Sequence, residues 1–300
     1  MATLSGTVTD ITGVHPARLV RAYHADGSLK AEVTSTAGTG AFSMTVPADS
    51  PYTIVALDAV YDPAAASTLA LLNMNGADSG TVFTDQKGNT VTVTSAQTKT
   101  ANKKYGSASA YFNGSARLSV PISGMSTFFQ GSWTVEAWIL TPPGATISGT
   151  VAWCGSRPLG YGIAFHLNAT LGVLDNIYIQ LYDPSNANVS ATGVAAAANA
   201  SGVFNHVAVC KSGLTYTFFI NGTACGSTTR GAQPANSSDP FTIGMAHAVD
   251  YSYPFTGYID DFRICNSVLY TGAFTPPIAQ LSLLTRYGLN GLVFDNVFPV

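Results

Sequence analysis

Phe204–Ile220 reads FNHVAVCKSGLTYTFFI and runs into Asn221-Gly222; further on, Gly257–Ile264 reads GYIDDFRI. Val207 and Val209 alternate with Ala208 and Cys210, and Tyr216, Phe218 and Ile220 alternate with Thr217 and Phe219. A period of two is what a strand with one face in a core produces. Ser212-Gly213 and Asn221-Gly222 supply residues that tolerate positive φ, so the spacing predicts an antiparallel meander with two-residue turns. In that register Cys210 lies opposite Thr215 and Cys225 opposite Phe218. The two thiols then sit on strands separated by a third, about 9–10 Å apart, which a disulfide cannot span.

Working outward, the composition agrees with an all-β chain. Of 300 residues, 46% are hydrophobic and only 10% charged, with 29 Gly and 15 Pro, which is too apolar for disorder and too turn-rich for a helical bundle. At about 100–200 residues per domain the length fits two domains, or one sandwich with an appendage. The formal net charge of -3, with Asn102-Lys103-Lys104 as the nearest thing to a basic run, argues against a nucleic-acid partner bound through its phosphates. No stretch is long and apolar enough to insert into a membrane. Met1–Asp10 lacks the basic and apolar regions of a secretory signal, so the expectation is a protein made in a reducing cytoplasm, with Cys154, Cys210, Cys225 and Cys265 as free thiols.

Short alternating runs at Ser5–Thr9, Arg18–Tyr23, Lys30–Ser35, Ala41–Val46 and Tyr52–Leu57 predict a small β-sandwich over residues 1–60. Tyr61–Ser67 (YDPAAAS) reads as a linker, because Pro and small residues replace the alternation. A larger sandwich is expected over residues 68–277, where Thr275-Pro276-Pro277 withholds the N–H groups a ladder needs. Residues 278–300 form a tail too rich in Leu, Val and Phe to stay solvated, which either packs back on a domain or docks on another subunit.

The meander, Ser132–Leu140 (SWTVEAWIL), the Asp-x-x-Gly-Asn turn at Asp85–Asn89, the Gly-x-x-x-Ala-x-Phe-x-Gly run at Gly106–Gly114 and the closing Tyr270–Pro277 together resemble the laminin-G-like, concanavalin-A-like lectin jelly roll, in the form found in bacteriophage structural proteins. The small segment resembles a carboxypeptidase-regulatory-like, CnaB-type module. Its Lys30 and Glu32 stand two apart on one strand without a nameable third partner, which gives no isopeptide cross-link. The resemblance implies a virion component, a fibre, tail or capsid-surface protein, whose partners are other virion proteins and a host cell-surface glycan. It further implies a homo-oligomer, a trimer by analogy. A decoration or assembly module without a ligand is the alternative.

Enzymatic readings find little support. Glucanases on this fold place several carboxylates on one strand, because glycoside hydrolysis uses two at a set separation. Here that strand offers Glu136 alone, with Trp138 on the same face as a sugar-stacking ring, and the only other glutamate is Glu32. No GxSxG, Walker or HExxH pattern is present. His206 reads as a structural hydrogen-bonding residue, and His166 either faces a groove or is satisfied in the core. For saccharide binding the sequence points to Glu136 and Trp138 and to the loop Gly244–Phe255, where His247, Asp250, Tyr251 and Tyr253 combine stacking rings with groups that address hydroxyls. Calcium is the one metal indicated: Asp78, Asp260 and Asp261 are either its oxygen ligands, gathered from first and last strands, or turn formers.

Overall fold

In the computed structural model, the described residues are 2–9, 19–24, 28–34, 36, 39, 41–47, 52–57, 64–156, 161–170, 173–183, 186–194, 202–233, 237–245, 253–283 and 293–295. They form two units, Met1–Pro63 with Leu284–Val300, and Ala64–Leu283. None of the described helices is long and apolar enough to cross a membrane.

The smaller unit consists of two three-stranded antiparallel sheets. In one, Ala2–Thr9 lies between Ala41–Val46 and Val293–Asp295; in the other, Leu19–His24 lies between Leu29–Thr34 and Tyr52–Leu57. Along Ala41–Val46 exposed and buried residues alternate strictly, and Phe42, Met44 and Val46 join Leu4, Val20 and Ala22 in the core. Glu32 points outward to Arg21, 3.1 Å away, so its carboxylate serves a surface ion pair. The tail supplies one strand, whose backbone registers Thr7 against Asp295.

The larger unit is a two-sheet antiparallel sandwich. One sheet has seven strands, in the order Asn186–Val194, Val173–Asp183, Tyr161–Thr170, Ile147–Ser156, Phe241–Ile243, Arg117–Val120 and Thr92–Thr94. The other has eight, in the order Thr223–Thr229, Thr215–Ile220, Asn205–Ser212, Trp133–Leu140, Thr256–Cys265, Ser109–Asn113 and Gln97–Lys99, with Thr68–Leu72 also paired to Thr256–Cys265. Between the sheets lie Phe112, Leu118, Phe129, Trp133, Phe218 and Phe262, all essentially inaccessible. The unit begins earlier and ends later than the sequence suggests. Ala65–Ser67, read as linker, is a 3-10 turn whose Ser67 hydroxyl bonds Ser267 at 2.7 Å, and Leu281 is buried beyond the double proline.

The meander forms, but in a shifted register. Ser212 pairs with Thr215, so Gly213-Leu214 makes the first turn and Cys210 faces Thr217 instead of Thr215. Gly213, at φ +58°, takes the left-handed position, which moves the turn by one residue and leaves each side chain on its expected face. The second turn is Asn221-Gly222 as expected, with φ of +49° and +79°. A bulge between Phe218 and Phe219 pairs Phe218 with Gly226, so Cys225 has no cross-strand partner. The thiols stay on strands separated by a third, and all four cysteines are free.

Trp133–Leu140 is buried on both faces, where alternation alone predicts one. Val135, Ala137 and Ile139 face the inter-sheet core; Thr134, Glu136 and Trp138 face the opposite way, the first two covered by the irregular segment that follows Cys265 and Trp138 by Lys104 and Tyr105. That segment is tied down by its backbone. Leu269 N donates to Thr134 Oγ1 at 3.0 Å, Phe274 N to Gly222 O at 2.9 Å, and Leu281 N to Asp261 Oδ2 at 2.9 Å.

Candidate functional site

The sequence places Glu136 and Trp138 on an open sugar-binding face; the structure closes that face. Glu136 is fully buried. Arg263 Nε donates to its Oε1 at 2.5 Å, with the same guanidinium's Nη2 also on Oε1, while His206 Nε2 stands 3.0 Å and Tyr270 Oη 2.7 Å from Oε2. Burial alone would raise this carboxyl's pKa, but the charge of Arg263 and the His206 and Tyr270 donors outweigh it and hold the group at about 2. Trp138 is 5% exposed, with Lys104 Nζ 3.9 Å above its ring and Tyr105 against its edge at 6.0 Å. Neither residue can meet a saccharide without displacing what covers it. Both are corrections to the sequence reading: Tyr270, in the segment after Cys265, closes over Glu136, and Lys104 with Tyr105 closes over Trp138.

The three aspartates do not gather around a cation, and among the described residues no cluster of three or more metal-ligating side chains exists. Asp78 lies at the surface, where it accepts from Thr100 N at 3.1 Å and Ser79 Oγ at 3.0 Å. Asp260 is buried and accepts from Lys104 N at 2.8 Å, Tyr105 N at 3.1 Å and Asp261 N at 2.9 Å. Asp261, left-handed at φ +43°, is the extra residue where the register shifts against Glu136 and Trp138, and it accepts from Asn73 Nδ2 at 2.7 Å as well as Leu281 N. These oxygens are occupied by backbone and side-chain donors, and Asp260 and Asp261 tie loops to the central strand Thr256–Cys265. Burial pushes Asp260 up to about 6 and Asp261 to about 7, against the opposing pull of the amides.

The outer face of the seven-stranded sheet is different. Thr150, His166 and Tyr178 stand side by side on three neighbouring strands, and Ser148, Asn168 and Asn176 form the next row along them. His166 is inaccessible: Thr150 Oγ1 is 2.9 Å from its Nδ1, and the Tyr178 ring stacks on it at 4.9 Å. Tyr253 closes the other side at 5.0 Å and is itself 37% exposed. Its carbonyl accepts from Thr150 N at 3.0 Å, and its backbone is left-handed at φ +51°, an uncommon conformation for a bulky residue. The chain on either side is anchored by Gly244 N to Val151 O at 3.1 Å and Phe255 N to Gly244 O at 2.9 Å. A solvent-facing tyrosine is thus held in one orientation over a packed imidazole. Tyr178, its pKa raised chiefly by burial, is hydrogen-bonded to Ser148. His247, Asp250 and Tyr251 lie outside the described residues; of the loop residues named from sequence, Tyr253 is the one placed.

Residues 112–271 match the model of the concanavalin A-like lectin/glucanases superfamily, which is more than half of the chain. The chain belongs to that superfamily. Among solved structures, the binding domain of Paraclostridial mosquitocidal protein 1 is similar with a TM-score of 0.51 at 13% identity, covering 69% of this chain and 50% of that one. The binding domain of botulinum neurotoxin serotype D gives 0.51 at 15% identity, over 70% and 50%. A structure of botulinum neurotoxin type C, whose cell entry depends on interaction with two ganglioside molecules, gives 0.50 at 14%, over 69% and 49%. The chain therefore spans about half the length of these structures, and the likeness is one of fold. No curated protein matches.

For this member of the superfamily, the sequence flags Tyr253 as a candidate and leaves His166 open between groove and core. It misses Ser148, Thr150, Asn168, Asn176 and Tyr178. The available signal was the alternation of Phe165, Leu167 and Ala169 into the core, which obliges His166 and Asn168 to face the other way.

Proposed function

We propose that this protein is a non-catalytic, glycan-binding structural component of a bacteriophage particle, a fibre, tail or capsid-surface protein. The larger sandwich would take a host-surface glycan at the His166 face, and the smaller one would serve as attachment or spacer to other virion proteins in a homo-oligomer. The carrying observation is Tyr253, an exposed aromatic ring packed on a buried histidine beside Ser148, Asn168 and Asn176 on the same sheet face. A rigid ring can stack on the apolar face of a sugar with little loss of conformational entropy, while neighbouring amides and hydroxyls address its hydroxyl groups. The lectin-like fold supports this reading, as does the similarity to toxin binding domains, one from a protein described as interacting with gangliosides. The particle assignment rests on the resemblance of the sequence to the form of this lectin fold found in bacteriophage structural proteins.

Hydrolysis is disfavoured because Glu136, the carboxylate on the strand that carries the acids in glucanases of this fold, is ionised and enclosed by Arg263, His206 and Tyr270. The test is retention of the full chain on a panel of immobilised bacterial surface polysaccharides and on a glycan array, beside Tyr253→Ala. The expected result is retention that the variant reduces about tenfold or more. Absence of retention on every surface would leave the ligand-free decoration module as the reading.

A further inference from the structure

The amide pair beside the tyrosine carries the reading further. Asn168 Nδ2 donates to Asn176 Oδ1 at 3.1 Å across neighbouring strands, and both residues are half-buried. That bond leaves Asn168 Oδ1 and Asn176 Nδ2 without a partner among the described residues, one acceptor and one donor side by side. Exchanging the oxygen and nitrogen of both amides reverses the bond and leaves the same two functions. A fixed acceptor next to a fixed donor complements two adjacent hydroxyls, one donating and the other accepting.

Asn168 and His166 are two residues apart on one strand, a separation of about 6.8 Å along the sheet. A pyranose stacked on the Tyr253 ring above His166 can therefore turn its edge toward the amide pair. Ser148, exposed and paired with Asn168 in the same row, extends the polar edge. We infer that Asn168 and Asn176 form a vicinal-diol subsite which, with Tyr253, selects a pyranose carrying two adjacent free hydroxyls. This rests on the glycan-binding reading of the same face and specifies what that reading leaves open.

The experiment uses the full chain and ligand-observed NMR titration with methyl α-glucopyranoside, α-galactopyranoside and α-mannopyranoside, each beside its 2-, 3- and 4-deoxy analogues. The expected result is that at least one parent binds and that removing either hydroxyl of one adjacent pair weakens it about tenfold or more. Asn168→Ala should cause the same loss. Asn176→Asp keeps the shape and the bond from Asn168 but replaces the free donor by an acceptor; it should weaken binding as well, which keeps the test valid if the alanine variant folds poorly. Equal binding of parents and all deoxy analogues, or unchanged affinity in both Asn variants, overturns the inference and leaves glycan binding standing. If none of the pyranosides binds while polysaccharides are retained on the panel above, the subsite fails and the broader reading survives; if nothing is retained at all, both fail.

Discussion

The two sheets of the larger sandwich each turn polar residues outward, yet their outer faces have opposite fates. On the eight-stranded sheet Glu136, His206 and Arg263 are roofed by the segment after Cys265, and all three are nearly inaccessible. On the seven-stranded sheet Ser148, Asn168, Asn176 and Tyr178 keep partial exposure, and Tyr253 packs against His166 in the row of Tyr178. The first face holds full charges that neutralise one another, because a charge withdrawn from water must be paired. The second holds, in those residues, neutral donors and acceptors that water can satisfy until a ligand replaces it. A polar residue on a strand thus becomes a structural or a recognition element according to what the chain lays over it.

The sharpest way to break this comparison is to remove one partner of the closed face. Arg263→Met leaves the Glu136 carboxylate buried without its main counter-charge, and the large unit should lose about 3–5 kcal/mol in denaturant unfolding. A loss below about 1 kcal/mol would mean that the face is open to water in solution. Glycan retention by whatever variant remains folded should be unaffected.

The pH dependence of stability tests the same face from two sides. Glu136 is held at about 2 against an ordinary value of 4.5, so its contribution is complete above pH 4.5 and disappears as pH falls toward 2, a loss of about 3 kcal/mol. Asp260 and Asp261 are raised to about 6 and about 7, so ionising them costs the folded state more than the unfolded one, and stability should decline as pH rises from about 4 to 7. The melting temperature of the large unit should accordingly peak near pH 4–5. A profile flat from pH 4 to 8 would show that the amide donors on the aspartates offset their burial.

Gly244, at φ +85°, lies where an added Cβ would run into the Phe112 ring, beneath the chain that carries Tyr253. Gly244→Ala should cost about 1–3 kcal/mol and weaken saccharide retention in parallel, because the platform and the core share this contact. Calorimetry beside retention checks the coupling, and loss of one without the other would separate the open face from the core. The smallest effect on stability is expected at Tyr253. Tyr253→Gly relieves the left-handed backbone and should change stability by about 1 kcal/mol or less while removing retention. A large destabilisation would make Tyr253 a structural residue and the open face inert.

Much of the fold is legible in the residues. The alternation through Val207, Val209, Tyr216, Phe218 and Ile220 marks the core face correctly, and Asn221-Gly222 marks its turn, since both are local consequences of pleat and φ. The first turn was displaced by one residue because Ser212-Gly213 and Gly213-Leu214 both put Gly213 in the loop, and only the pairing of whole strands chooses between them. The candidate site was less legible. Tyr253 belongs to an aromatic loop that a sequence can flag, whereas Asn168 and Asn176 gain meaning only from lying opposite each other.

The sequence by itself determined the all-β sandwich class and the inward faces of the meander strands, because these follow from local periodicity and turn chemistry. Tertiary structure alone decided which outward face stays open. Burial of Glu136 depends on a segment more than a hundred residues away that returns over its strand, burial of Trp138 on Lys104 and Tyr105 from an earlier loop, and the separation of Asp78 from Asp260 and Asp261 on how distant loops close. Nothing in the pattern around Glu136 encodes its cover, since long-range contacts are fixed by the whole fold and not by the neighbours along the chain.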